Sequence, residues 1–305
     1  MKNSCIHIGL HHAGSTFIQG ELLPKLKKIT PITFHQNTFL NKEFLYLCQA
    51  SEIYYNNEYE KKVKNLLKEK KNIFISSEGL SGTRYNVYTS CYTNKSIAER
   101  LKNIFIKPKI LIGIRNQKSI IESFYKETVR YGYLSNYEFF FRENLRNNQF
   151  DIFKYSKLIK FYMDFFGNEN VYVYLYENFF DINKTKNLLI SMGIDPEGIE
   201  DVDFNRRLNS SYSPLSHNLS FLFNKFFGSK LSYGVSFGKD PRLFFYNFWR
   251  YKLSKVTDKI SYSIGYKNIK LNFSDYAQIL YDQFHEDNLE LSKLLDINLQ
   301  DKGYI

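Results

Sequence analysis

A short polar loop bounded by two glycines follows the first apolar run of the chain. Ile6, Ile8 and Leu10 alternate as in a buried strand, and residues 9–14 have the composition of a tight turn. From Ser15 onward apolar residues recur at helical spacing, so the amides of the turn would lie at a helix N-terminus. Those N–H groups, together with about half a positive charge from the helix dipole, predict a site for a phosphate-like anion.

The loop is close to the phosphate-binding loop of kinases and ATPases, but it lacks their lysine. In the pattern G-x-x-x-x-G-K-[ST], the lysine position is taken by Ser15 in this chain. The next two strand candidates end at Glu78 and Arg115, and an arginine at a strand end suits a phosphate rather than a metal ion. The sequence therefore predicts a strand, turn and helix that bind a phosphate-like group without a metal.

The loop and three later segments resemble the motifs of sulfotransferases that use 3′-phosphoadenosine 5′-phosphosulfate (PAPS), particularly the bacterial and carbohydrate-type members. Residues 6–19 are similar to the family's 5′-phosphosulfate loop, which reads roughly G-L-x-K-x-G-[ST]-T. Residues 112–125 are similar to its 3′-phosphate site, in which an arginine closes a strand and a serine follows eight residues later. Weaker matches at 171–181 and 286–295 keep the family's order, so the resemblance covers nearly the whole chain.

The resemblance implies roles for the loop residues. His12 stands where the family has a lysine that steadies the leaving oxygen, and it could donate there only when protonated or as a neutral N–H. The amides of residues 13–16 and the loop hydroxyls would hold the 5′-phosphosulfate, in a set that comprises His11, Ala13, Gly14, Ser15 and Thr16.

The 3′-phosphate is expected to bind Arg115 and Ser123. Eight residues from a strand end to the second turn of the next helix let both side chains face one anion, and arginine supplies a planar fork for phosphate. The resemblance also implies that Arg206 and Arg207 close a basic loop over the nucleotide. The alternative for each of these residues is an ordinary solvated position.

Glu78 is the expected general base. It ends a strand that a parallel sheet would place beside the first one, at the same edge as the loop. Sulfuryl transfer to a hydroxyl needs a carboxylate or imidazole within hydrogen-bond reach of the acceptor. Carbohydrate sulfotransferases place a glutamate in this region, so the resemblance implies the same role here. A solvated glutamate at a strand end is the alternative.

The order of the elements favours an α/β fold. Strand patterns at 6–10, 73–77, 109–114 and 171–176 alternate with helical patterns, which predicts a parallel sheet covered on both faces, as in P-loop-like three-layer domains. Beyond residue 205 we expect only helices, at 216–227, 242–263 and 274–295. We therefore predict a PAPS-binding core at 1–204 and a helical, basic, aromatic-rich addition at 205–305, with a soft boundary between them.

The positive charge is concentrated in the predicted addition. The net charge of the chain is +11, and residues 205–270 alone carry twelve basic and two acidic side chains. The aromatic stretch at 221–251 is typical of a helical core, a sugar-stacking groove or a membrane-interface face. The charge itself favours an anionic glycan or glycolipid acceptor, or an anionic lipid surface.

Other features of the sequence limit the compartment and the metal chemistry. The three cysteines and the histidines lie at no disulfide-framework or zinc spacing. With no predicted signal peptide or membrane span, we expect a cytoplasmic protein, with peripheral contact at the inner membrane face as an option.

These observations together predict a PAPS-dependent sulfotransferase that acts on a hydroxyl of a bacterial surface glycan or glycolipid, by in-line displacement and without a metal. The missing loop lysine leaves open a catalytically weak or inactive nucleotide-binding module. A magnesium-dependent kinase and a nucleic-acid binder are further alternatives. The first is disfavoured because Ser15 takes the position of the lysine that kinases and ATPases have in their loop, and the second is suggested by charge alone.

Overall fold

The computed structural model describes residues 4–33, 39–82, 93–133, 136–206, 213–227, 248–264 and 274–305. Within these residues a five-stranded sheet forms the centre of the fold, and all its neighbouring strands are parallel. The strands are β1 (Ser4–Gly9), β2 (Thr30–Thr33), β3 (Ile73–Ser77), β4 (Lys109–Ile114) and β5 (Val171–Leu175), in the spatial order β2-β3-β1-β4-β5. The predicted α/β class with a parallel sheet is therefore confirmed.

Helices follow the strands along the chain. They are α1 (Ser15–Phe17), α2 (Phe39–Gln49), α3 (Asn57–Leu67), α4 (Asn94–Ile104), α5 (Gln117–Arg130), α6 (Tyr137–Arg146), α7 (Tyr155–Phe166), α8 (Tyr176–Phe179), α9 (Ile182–Ser191), α10 (Pro214–Phe227), α11 (Ser254–Ser263) and α12 (Ala277–Leu295). A π-helical turn, Ile18–Leu22, continues α1, and another, Trp249–Leu253, leads into α11.

The sheet is covered on both faces because successive strand residues point to opposite sides. On one side Ile6, Ile8 and Ile112 join a core built with α2 to α7 and α12. On the other side Cys5 and Leu111 pack against the first helical turns and against α8 and α9. Because all four strand pairs are parallel, the carboxyl ends of the five strands lie at one edge of the sheet.

The helix α9 has no counterpart in the sequence prediction. Its N-cap is Asp181, whose carboxylate accepts hydrogen bonds from the amides of Asn183 and Lys184 at 2.9 and 3.0 Å. An aspartate before a helical run is a recognisable start signal, so the element could have been predicted from that residue.

In the described part beyond residue 205 the regular elements are helical, as the sequence predicts. The predicted helix residues 242–247, most of the aromatic stretch and Arg207 lie outside the described residues. Each helix that the structure describes is too short or too polar to span a lipid bilayer.

Candidate functional site

The polar loop leaves the end of β1, the middle strand of the sheet, and turns directly into α1. Gly14 has a φ of +100°, a left-handed conformation that favours glycine, and His12 also has a positive φ of +66°. The amide of Ala13 donates to the carbonyl of Leu10 at 3.2 Å. The N–H of Ala13 therefore forms a hydrogen bond within the turn, whereas the loop motif predicts that this amide faces an anion.

Ser15 places its hydroxyl under the loop. Its Oγ is buried and has no hydrogen-bond partner among the described residues. A Cβ atom at Gly9 would lie 2.2 Å from this Oγ, so glycine at position 9 provides the space that the serine occupies. An unsatisfied buried hydroxyl costs about 1–3 kcal/mol, which makes Ser15 a candidate for contact with a bound group.

A chain of buried hydrogen bonds runs beneath the loop across the sheet. The amide nitrogen of Gln19 donates to Ser76 Oγ at 3.3 Å, and Ser76 Oγ donates to His7 Nδ1 at 2.7 Å. His7 Nε2 then donates to the hydroxyl of Tyr174 at 3.1 Å, and this hydroxyl donates to the carbonyl of Ala13 at 2.8 Å. Each donor in this series of hydrogen bonds has an acceptor, and the last acceptor, the Ala13 carbonyl, belongs to the loop.

This direction of donation fixes the state of His7. The Tyr174 hydroxyl donates its one proton to the Ala13 carbonyl, so its oxygen accepts the hydrogen bond from His7 Nε2. His7 is therefore the neutral tautomer protonated at Nε2. Burial lowers the pKa of His7 to about 3, against a weaker opposing effect of Glu78. His7 has no role that its sequence context predicts, since its partners lie 69 and 167 residues away and only the strand register brings them together.

Gly113 makes the Tyr174 contact possible. It lies opposite Tyr174 in the pairing of β4 with β5, and a Cβ at position 113 would come 2.2 Å from the tyrosine hydroxyl oxygen. The ring therefore crosses β4 at the one residue without a side chain to reach β1. A glycine inside an otherwise apolar strand was the available sequence signal for such a close approach.

Glu78 follows β3, next to β1, so the sheet brings the predicted base to the edge where the loop lies. Its Oε2 lies 3.3 Å from His11 Nδ1, and the two side chains are 37% and 20% exposed. Partial burial acts to raise the pKa of Glu78, but the hydrogen bond and charge of His11, with a contribution from His12, hold it below its usual value. Glu78 is therefore an ionised carboxylate at neutral pH, paired with a loop histidine.

His12 points toward α5. Its Nε2 lies 3.1 Å from Oε2 of Glu127, and its ring packs edge-on against Phe124 with 4.6 Å between ring centroids. Glu127 is not among the predicted site residues. It stands one turn after the predicted Ser123 on the same helix, so the helical spacing i, i+4 from a candidate residue could have pointed to it.

Arg115 follows β4, on the other side of β1, and it contacts the loop directly. Its Nη1 donates to the carbonyl of His12 at 3.1 Å, and its guanidinium carbon lies 4.2 Å from the centroid of the Tyr176 ring. Its Nε is buried and has no hydrogen-bond partner among the described residues. The hydroxyl of Tyr155 donates to the Arg115 carbonyl at 2.7 Å, which holds this backbone in place.

The start of α5 is fixed by a second carboxylate that the sequence analysis does not select. Oε1 of Glu177 accepts both the backbone and the side-chain N–H groups of Asn116 at 2.9 Å. The Asn116 side chain in turn caps α5 by accepting the amide of Ser119 at 2.9 Å. Ser123, the predicted partner of Arg115, lies partly buried two turns into this helix.

Arg206 forms an ion pair with the π-helical turn that follows the loop, not with the loop itself. Its Nη1 is 2.8 Å from Oε2 of Glu21, whose side chain is buried and also accepts the amide of Asp203 at 3.2 Å. Arg206 thus ties the segment after α9 to the helix that follows the loop. Its contact with a nucleotide stays a prediction, and Arg207 lies outside the described residues.

A cavity of about 250 Å³ lies at the opposite edge of the sheet, where the strands begin. Its lining includes Ser4, Ile73 and Lys109, and the Lys109 ammonium donates to the carbonyl of Met192. This cavity is separate from the loop, Glu78 and Arg115, which all lie at the carboxyl edge.

Comparison with known proteins adds one structural likeness. No family model and no curated protein matches the chain. Among solved structures, it is similar to the crystal structure of a sulfotransferase from Alicyclobacillus acidocaldarius, with 17% sequence identity and a TM-score of 0.42. The match covers 74% of this chain and 93% of that chain. A likeness at this level does not assign a family.

Proposed function

We propose that the protein is a PAPS-dependent sulfotransferase that transfers a sulfuryl group to a hydroxyl of a carbohydrate or glycolipid by in-line displacement. One observation carries the proposal: groups from three adjacent strand ends are linked through the loop. Glu78 after β3 pairs with His11 at 3.3 Å, and Arg115 after β4 donates to the His12 carbonyl at 3.1 Å. The Glu78 carboxylate, the glycine-bounded turn and the Arg115 guanidinium therefore share one edge, which supports a base and an anion site side by side.

The donor set fits an anionic, phosphate-containing group. Ser15 Oγ and Arg115 Nε are both buried polar atoms without a hydrogen-bond partner among the described residues, and both can donate to an anion. Gly14, Ser15 and Thr16 would hold the 5′-phosphosulfate end, and Arg115 with Ser123 would hold the 3′-phosphate. When bound, PAPS supplies the activated sulfuryl group and a phosphate leaving group.

The chain's own residues account for the proton and the developing charge. Glu78, ionised at neutral pH, accepts the proton of the acceptor hydroxyl, and His11 orients that carboxylate from 3.3 Å. The Glu127 carboxylate accepts from His12 Nε2, so this nitrogen carries a proton. When the ring carries both protons, His12 then donates through Nδ1 to the negative charge on the leaving oxygen. In this role His12 takes the place of the loop lysine of PAPS-dependent sulfotransferases.

Calorimetry with 3′-phosphoadenosine 5′-phosphate tests the proposal without knowledge of the acceptor. We expect one binding site per chain, with ATP bound at least about tenfold more weakly because it has no 3′-phosphate for Arg115. Ser15→Ala and Arg115→Gln should each weaken the 3′-phosphoadenosine 5′-phosphate site. Equal affinity for ATP, or no binding of the bisphosphate, would contradict the proposal.

A nucleotide-binding module without turnover is the second candidate, and the His12–Glu127 pair favours it. With Nε2 committed to Glu127, the loop has a weaker donor for the leaving oxygen than a lysine would be. Incubation with PAPS and a panel of glycan acceptors separates the two candidates. Bisphosphate binding without any sulfated product would select the module.

A further inference from the structure

The helix pair formed by α10 and α11 is held together by small polar side chains. Ser216 Oγ donates to the carbonyl of Ser254 at 3.1 Å and lies 2.5 Å from Thr257 Oγ1. The indole N–H of Trp249 donates to Ser220 Oγ at 3.0 Å. The serines 216, 220 and 254 are all buried, so hydrogen-bonded hydroxyl groups line the contact between these helices beside the buried indole of Trp249.

The outward side of the same helices is aliphatic. Val256, Ile260 and Ile264 recur every four residues and are 54%, 50% and 64% exposed. On α10, Leu222 is 53% exposed. The distribution is the reverse of a helix in a water-soluble core, where the aliphatic stripe faces inward and the hydroxyls face water. Small polar residues between helices and aliphatic residues outside are typical of helices that contact lipid.

The charges on α11 are sorted in the same way. Lys252 in the π-helical turn and Lys255 and Lys259 on α11 are exposed and recur at i, i+3 and i+7, so they lie along one side of the helix beside the aliphatic residues. Asp258 is the one acidic residue of the sequence between 248 and 264, and its Oδ1 accepts the amide of Ser213 at 2.7 Å. The acid is thus used to hold α10, and the outward side carries lysines and aliphatic groups.

We propose that this outer face binds a membrane surface containing anionic lipids. The outer face runs from the π-helical turn before α11 to the residue that follows α11, and it comprises Lys252, Lys255, Val256, Lys259, Ile260 and Ile264. The lysine stems would extend along the aliphatic side chains and place their ammonium groups at lipid phosphates, while the branched side chains enter the acyl boundary. The hydroxyl bonds to α10 satisfy the polar groups of the inward side, so the helix can present its apolar side without leaving them unpaired.

Vesicle co-sedimentation of the full chain tests the proposal, and it does not depend on sulfuryl transfer. Wild type should bind vesicles of phosphatidylglycerol and phosphatidylcholine, and not vesicles of phosphatidylcholine alone. The variant Lys252→Gln/Lys255→Gln/Lys259→Gln should bind about fivefold more weakly for each lysine removed. Val256→Ser/Ile260→Ser, which retains all the lysines, should bind at least about tenfold more weakly than wild type.

Matched control variants exclude a general effect of charge or hydrophobicity. Lys61→Gln/Lys64→Gln/Lys68→Gln removes three exposed lysines near α3, and Ile53→Ser/Ile190→Ser removes two exposed isoleucines that are 85% and 54% exposed. Both controls should bind the anionic vesicles as wild type does. The proposal is overturned if wild type does not bind, if the controls lose as much binding as the α11 variants, or if light scattering shows a dimer that Val256→Ser/Ile260→Ser dissociates.

Discussion

The hydroxyl of Tyr174 on β5 donates to the carbonyl of Ala13 at 2.8 Å, across the intervening strand β4. The same hydroxyl accepts from His7 Nε2 at 3.1 Å, so the conformation of the loop is coupled to the interior of the sheet. The loop is therefore anchored from below by the buried side chains of His7 and Tyr174.

Tyr174→Phe should destabilise the fold and weaken nucleotide binding. The substitution leaves the Ala13 carbonyl and the His7 N–H without their partner, which costs about 1–3 kcal/mol in the free energy of unfolding. Urea denaturation measures that loss, and calorimetry with 3′-phosphoadenosine 5′-phosphate measures binding. Tyr172→Phe on the same strand, where the residue is only half-buried, is the matched control and should change neither quantity. Unchanged stability of Tyr174→Phe would show that the relay does not anchor the loop.

The buried histidines should make stability depend on pH. Burial lowers the pKa of His7 to about 3, and burial with the charge of Lys126 lowers that of His217 to about 4, from 6.5 in the unfolded chain. Between these values the unfolded chain binds protons that the folded chain does not, so stability falls as the pH is lowered below 6.5. Each histidine contributes a slope of about 1.4 kcal/mol per pH unit inside its window, and nothing above it.

Urea midpoints measured at several pH values check this expectation. His217→Gln should reduce the slope of the unfolding free energy against pH by the contribution of one histidine, between the folded and unfolded pKa values of His217. His7→Gln should remove the contribution of His7 in the same way. Because His7→Gln also breaks the relay, it should be less stable than wild type at neutral pH as well. A wild-type slope that neither variant alters would mean that other groups set the acid dependence.

The placement of Glu78 and Arg115 could be predicted from the sequence, whereas most of their contacts could not. Apolar runs mark the strands, and parallel strands necessarily bring their ends to one edge, so both residues lie beside the loop as expected. The pairs His7–Ser76 and His12–Glu127 depend on strand register and helix rotation over separations of 69 and 115 residues. No local periodicity encodes such a pair, and for the same reason the attachment of Arg206 to Glu21 was not predicted.

Glu78→Gln should abolish sulfuryl transfer and preserve nucleotide binding. The amide keeps the size of the side chain but cannot accept a proton, so we expect a loss in kcat of at least about 100-fold with little change in the affinity for the bisphosphate. The matched control is Glu169→Gln, an exposed glutamate just before β5 and hence at the opposite edge of the sheet. A fully active Glu78→Gln enzyme would remove Glu78 from the mechanism and leave His11 as the candidate base.

His12→Lys should retain or raise kcat, whereas His12→Ala should lower it. An ammonium at position 12 can pair with Glu127 as the imidazole does and still donate to a leaving oxygen, since it has three donors. Alanine removes a charge-assisted hydrogen bond worth about 1.5–3 kcal/mol, which corresponds to about 10- to 100-fold in rate.

Glu127→Gln should lower kcat more than it raises KM for PAPS, because it alters the orientation of His12 without touching the nucleotide. His285→Ala, whose ring stacks on Tyr281 at 4.1 Å, is the control and should leave turnover unchanged. If His12→Ala turns over as fast as wild type, the donor to the leaving oxygen is another group, and Arg115, which contacts the loop at the His12 carbonyl, becomes the next residue to substitute.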